Sequence, residues 1–216
     1  MIEPLELPSG DGVVLEAELA TSTVTERAAM VLCHPHPQFG GTMRSLVISE
    51  LFGALPAAGV TCLRFNFRGV ESSTGSYDQG RGEQEDAHTA VRALAGRSEA
   101  PLVLTGWSFG ADMALSVRDE RIVGWLAIAP PLHFASALAQ LAADPRPKHL
   151  ALAEHDEFRA PAEILAETES WASTTTEVVP GASHFFIGRT DRLVGAARTF
   201  VDRFTPTEDA GTQPIR

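Results

Sequence analysis

Short apolar runs rich in β-branched residues alternate along the chain with longer stretches whose apolar residues recur every three or four positions. The short runs fall at 5–7, 13–19, 29–33, 61–67, 102–105, 123–129, 150–154 and 176–179, each with the length and composition of a strand. Helical spacing covers 45–58, 82–95, 109–117, 134–142, 160–170 and 191–204. In the last stretch Leu193, Val194, Ala197, Phe200, Val201 and Phe204 make one stripe, with Thr190 or Asp191 as its N-cap. Eight strands alternating with helices predict an α/β fold, a mostly parallel sheet covered by helices on both faces. The first two strands differ, because Ser9-Gly10-Asp11-Gly12 between them suits a hairpin. After the strand ending near Ala129 there is room only for Pro130-Pro131-Leu132-His133 and one short helix, so no substantial lid is expected. No repeat or linker interrupts the pattern. A single domain is expected over 1–204, with 205–216 a flexible tail that carries two prolines and no apolar period.

Composition narrows the partners. With 216 residues, 44% of them apolar and 21% charged, the chain has enough apolar material for a full core. The net charge of −11 comes without any Lys/Arg-rich run, which argues against nucleic acid, since phosphate contacts need clustered cations. The acidic start Met1-Ile2-Glu3-Pro4-Leu5-Glu6 lacks the apolar region of a secretion signal, and no stretch reaches membrane-span length. A cytoplasmic location follows as an expectation, with no membrane partner and with Cys33 and Cys62 as reduced, buried thiols.

The candidate chemistry is concentrated at Gly106-Trp107-Ser108-Phe109-Gly110, between an apolar strand and a helical pattern. Strand, G-x-S-x-G and helix in that order describe a nucleophile elbow, a turn so tight that side chains two before and two after the serine would collide. Ser108 would then stand beside the positive end of a helix. A serine hydroxyl needs a base, and the base needs a third group to hold its ring. On such a sheet both partners sit on loops at the carboxyl ends of late strands, acid before histidine. Asp156 follows the run 150–153, and His184 follows 178–183 on a glycine-containing loop. Glu154 and Glu157 compete for the acid's place; Glu154 should still lie in the strand and Glu157 one step too far along, which favours Asp156. An oxyanion hole needs two N–H donors. One is Phe109; the other belongs to His34-Pro35-His36-Pro37-Gln38-Phe39-Gly40-Gly41, where the prolines have no N–H, so His36 is preferred and Gln38 comes next. His34 and His36 also invite a metal reading. No third ligand stands near them, and the prolines suit a rigid loop better, so neither metal nor cofactor is expected.

Together these blocks resemble the α/β-hydrolase superfamily, in particular its small, lidless bacterial serine-hydrolase branch, dienelactone-hydrolase-like or esterase-like. The resemblance rests on His34-Pro35-His36-Pro37 with Gly40-Gly41-Thr42-Met43, on Arg64 through Val70, on Gly75 with Asp78 through Glu83 and Asp86, and on the elbow, Asp156-Glu157 and Gly181 through Phe186. It implies an eight-stranded, mostly parallel sheet, hydrolysis of esters or thioesters, and Ser108, Asp156 and His184 as the triad. The serine distinguishes the chain from dienelactone hydrolase itself, whose nucleophile is cysteine. Other departures are Glu71 where the pattern has a second glycine, Ala153 three before the acid, Arg44-Ser45-Leu46 at the start of the first helix, and Ser183 before the histidine.

The expected activity is therefore cleavage of a small-molecule carboxylic ester or thioester through an acyl-enzyme on Ser108. An open, lidless site should favour small acyl groups. Phe39, Trp107, Leu132, Phe134, Phe158 and Phe185 are candidates for an apolar groove, with Trp107 and Phe185 nearer to core residues. Arg44 and Arg68 are either partners for a substrate carboxylate or plain solvated arginines. The rival readings are an acyltransferase or peptidase with the same triad, a non-catalytic binding protein on the same fold, and a metallohydrolase at His34 and His36.

Overall fold

A computed structural model describes residues 2–205. The strands are β1 (Ile2–Pro8), β2 (Val14–Ala20), β3 (Ala28–Cys33), β4 (Val60–Phe65), β5 (Leu102–Trp107), β6 (Ile122–Ile128), β7 (Lys148–His155) and β8 (Thr174–Ser183). Among the described residues they form one sheet in the order β1-β2-β4-β3-β5-β6-β7-β8. β1 pairs with β2 and β2 with β4 antiparallel; every other neighbour is parallel. The helices are α1 (Leu46–Ala54), α2 (Arg81–Ala95), α3 (Phe109–Ser116), α4 (Leu138–Ala143), α5 (Pro161–Thr168) and α6 (Thr190–Asp202).

Why these runs become buried strands is visible in their alternation. In β3, Ala29, Val31 and Cys33 face one apolar layer while Ala28, Met30 and Leu32 face the other, so no polar position is tolerated on either side. The first layer takes its helical contribution from α2, α3, α4 and α5, the second from α1 and α6. Cys33 and Cys62 are both buried and free, and they lie in different layers, on opposite faces of the sheet.

The element boundaries depart from the periodicity where backbone chemistry intervenes. β1 and β8 run longer than the apolar pattern, through Pro4 and Pro8 in one and Pro180 in the other. Both are edge strands, where a missing N–H breaks no ladder bond. α1 stops at Ala54, and a 3-10 turn over Pro56–Ala58 takes the rest, because Pro56 cannot continue an α-helix. α6 begins at Thr190 with Arg189 as N-cap and no side-chain capping bond, so neither Thr190 nor Asp191 is the cap. α5 covers less than 160–170, starting on Pro161 after the N-cap Ala160. Between β6 and β7 lie only the loop 129–137, the six-residue α4 and the short connection 144–147, so there is no substantial lid. The tail expected to be flexible lies, beyond Thr205, outside the described residues. No helix among them is long and apolar enough to cross a membrane.

Chain direction across the sheet reverses beside β3, which has β4 on one side and β5 on the other. Crevices at such switch points, outside the carboxyl ends of the strands, are where ligands bind on open α/β sheets.

Candidate active site

At that crevice the backbone of the serine is strained. Ser108 has φ 55° and ψ −123°, outside the regions an L-residue adopts at ease. It is forced there because β5 ends at Trp107 and α3 begins at Phe109, leaving one residue to turn the chain. The flanking glycines are required by contact. A Cβ on Gly106 would strike the carbonyl of Gly110, and one on Gly110 would strike the carbonyls of Cys33 and His34. The elbow is thus pressed against the end of β3.

Two loops on the far side complete the arrangement. Asp156 follows β7 directly and His184 follows β8. Asp156 Oδ2 accepts from His184 Nδ1 at 2.8 Å, and the Ser108 hydroxyl donates to His184 Nε2 at 2.9 Å. An ionised carboxylate can only accept, so Nδ1 carries the proton and Nε2 is left to receive one. Burial pushes the Asp156 carboxyl up, but its bonds from His184 and from the N–H groups of Phe158 and Arg159 outweigh that, holding it below the ordinary carboxylate range. The imidazole is held from behind as well: Trp107 Nε1–H donates to the His184 carbonyl at 3.1 Å, and the His184 N–H donates to Glu157 at 3.1 Å. Glu154, still in β7, accepts from Gly181 N–H at 2.7 Å. The two glutamates that compete with Asp156 in the sequence instead fasten the histidine's loop.

The loop after β3 is equally determined. A 3-10 turn, Pro37–Phe39, closes on Gly40 in the left-handed region. Gln38 N–H is engaged by its bond to His36 Nδ1, at 3.2 Å. By contrast, neither the Phe109 nor the His36 N–H donates a hydrogen bond among the described residues. His34 is wholly buried; its Nδ1 donates to the Pro35 carbonyl at 2.6 Å and its Nε2 accepts from Phe67 N–H at 3.0 Å. Burial holds this imidazole neutral, with its pKa down at about 3. The Pro35 carbonyl and the His36 N–H belong to one planar peptide, so fixing the first aims the second.

Around Ser108 and His184 opens a cavity of about 630 Å³. Phe39, Trp107, Phe134, Phe158 and Phe185 all line it, Phe158 with its ring edge-on to His184 at 4.6 Å between centroids. Leu132 does not. Its side chain is buried in the core, because φ 58° turns it inward. Its neighbours Pro131 and His133 line the cavity in its stead. Of the two candidates placed nearer to the core, Phe185 is 44% exposed, whereas Trp107 is buried and serves both places.

The wall 131–134 hangs from the nucleophile's own helix, a feature the sequence reading missed. Asp112 on α3 is fully buried and accepts from Leu132 N–H at 2.9 Å and Phe134 N–H at 2.8 Å. One turn on, Ser116 Oγ accepts from Ser136 N–H at 2.8 Å. Residues 134–137 therefore stay a loop, and α4 starts at Leu138 rather than at 134. The signal was an acid on the apolar face of a short helix. Burial pushes that carboxyl up to about 7, against the pull of the loop's N–H groups.

The arginines do not face the cavity. Arg68 is buried between Asp86 and Asp11, and Arg44 pairs with Glu18 at 2.6 Å. Glu71, in place of a glycine, adopts φ 48°, the conformation that glycine would take without strain.

A model of the alpha/beta hydrolase domain matches residues 26–198. An uncharacterised protein of Rickettsia prowazekii is 30% identical over 200 residues, covering 87% of this chain and 84% of the relative. An alpha-beta serine hydrolase homologue from Coxiella burnetii superposes with a TM-score of 0.79 at 31% identity, over 93% of this chain and 96% of that one. A serine hydrolase without lid from Xanthomonas campestris gives 0.81 at 28% identity, over 95% and 96%.

Proposed function

Because the chain belongs to the alpha/beta hydrolase domain family, we propose that it is a serine hydrolase cleaving a carboxylic ester or thioester through an acyl-enzyme on Ser108. The observation that carries this reading is the unbroken series of hydrogen bonds from the Ser108 hydroxyl through both ring nitrogens of His184 to Asp156. As Ser108 Oγ attacks the carbonyl carbon, its proton passes to His184 Nε2, and Asp156 stabilises the imidazolium. The carbonyl oxygen becomes an oxyanion and accepts from the N–H groups of Phe109 and His36, each donor contributing on the order of a hundredfold in rate. Collapse breaks the bond to the leaving alcohol or thiol, which takes the proton from Nε2. Water, deprotonated by the same nitrogen, then attacks the acyl-enzyme, and Ser108 recovers its proton as the acid leaves. No step needs a metal or a cofactor.

A fluorophosphonate probe tests this. Ser108 in the folded protein should be labelled, and Ser108→Ala should abolish both labelling and turnover, a loss on the order of 10⁴- to 10⁶-fold in kcat. A folded, unlabelled protein would instead be a non-catalytic binder on a hydrolase fold.

A further inference from the structure

We infer that the substrate is an uncharged ester or thioester with a compact apolar acyl group, and that polyanionic acyl donors such as coenzyme A thioesters are rejected. The inference rests on the hydrolase reading and specifies its substrate. It starts from what surrounds Ser108. No Lys, Arg, Asp or Glu side chain lines the cavity. Its volume, about 630 Å³, falls within the range of pockets that hold small organic ligands. Four of its apolar residues also spread into solvent at the mouth, Phe39 at 86%, Phe158 at 64%, Phe185 at 44% and Leu46 at 42% exposure. Apolar surface gathered at one place in this way marks where a partner of like character is covered. Here that partner is the substrate's own acyl group, since the patch surrounds the nucleophile.

A phosphate or carboxylate on the substrate would need a fixed positive charge, and the arginines considered for that part are engaged. Arg44 is paired with Glu18; Arg159 donates to the Pro131 carbonyl and pairs with Glu167; Arg68 is enclosed by Asp86 and Asp11. An anion carried into the cavity would lose hydration without gaining a partner. The net charge of −11 repels a polyanion at longer range and slows its approach. Size follows from the missing lid. A long acyl chain would leave its far end in water, so burial favours an aryl or short alkyl acyl group.

The test separates charge from chemistry by using one acyl group on two thiols. Butanoyl-N-acetylcysteamine and butanoyl-coenzyme A carry the same acyl group on the same kind of bond, and only the second is polyanionic. For the wild-type protein, kcat/KM for the neutral thioester should exceed that for the coenzyme A thioester at least ~10-fold at low salt. The gap should narrow as ionic strength rises from about 10 to about 300 mM, with the neutral substrate unaffected. Phe39→Arg, at a position so exposed that folding does not depend on it, should raise kcat/KM for the coenzyme A thioester about 5- to 10-fold by supplying the missing cation. Phe158→Ala should raise KM for the neutral thioester about tenfold, the loss expected when a ring no longer covers the substrate. Equal or better turnover of the coenzyme A thioester by wild type, or a Phe39→Arg variant that gains nothing, overturns the inference. Both results leave the hydrolase reading intact as long as the fluorophosphonate labels Ser108; that reading falls only if labelling fails as well.

Discussion

His34 and His36 differ by two positions and by nearly everything else. In an extended segment they would share a face, which is what a metal pair requires. In the fold one ring is sealed between the Pro35 carbonyl and the Phe67 N–H, and the other lies beside Tyr77 at the cavity. A ring that accepts from a backbone N–H cannot take a second proton without losing that bond. The folded state thus binds fewer protons at His34 than the unfolded chain, so stability falls as pH drops from the ordinary histidine value towards about 3. We expect urea midpoints to fall across that window, His34 contributing a slope of at most about 1.4 kcal/mol per pH unit. His34→Ala should flatten that slope, and kcat should drop with little change in KM, because nothing then holds the Pro35 carbonyl that aims the His36 N–H. Steady-state kinetics beside the denaturation curves would show it. At this scale the sequence was legible where a motif and a chain order agreed, as for the meeting of Ser108, Asp156 and His184 in one hydrogen-bonded series. It was not legible for Leu132, since an apolar loop residue reads the same whether a left-handed turn sends it inwards or outwards. Nor did it reveal that Glu154 and Glu157, passed over as acids, brace the loop bearing the histidine.

Elements were readable to the extent that apolar spacing alone decides them. The buried strands β3 to β7 and the long stripe of α6 were placed to within a few residues, because burial on both faces or on one leaves a strong imprint. Boundaries shifted wherever another part of the chain claims backbone groups. The clearest instance is 134–137, whose helical spacing is overridden by Asp112 and Ser116 of α3. Asp112→Ala would leave two N–H groups without acceptors, each costing about 1–3 kcal/mol if it stays buried. We expect a lower unfolding midpoint and a KM raised several-fold for an apolar ester, as Phe134 and its neighbours lose their place. Asp112→Asn, which keeps one acceptor oxygen, should recover part of both. If KM stays at the wild-type value in the alanine variant, the wall does not depend on this residue.

Over the whole molecule, the strand order is what apolar runs cannot disclose, since each strand is compatible with any neighbour of similar burial. The family resemblance implied eight mostly parallel strands and left their order open; the order is read from the fold. The sheet also separates the two thiols: Cys33 and Cys62 occupy opposite faces, and burial pushes both well above the usual thiol range. Ellman's reagent should therefore find no reactive thiol in the native protein and two after denaturation. Reducing agent should leave Tm unchanged, and a shift of several degrees would contradict the separation. A last consequence comes from the suspension of residues 131–136 from the helix that follows Ser108. Substrate range and reactivity are inherited together on that side of the crevice, so a lineage that remodels this wall for bulkier guests disturbs its own nucleophile. Laboratory evolution towards new acyl groups should accumulate its first substitutions at Phe39, Leu46, Phe158 and Phe185, where selectivity can drift without touching the hinge of the chemistry.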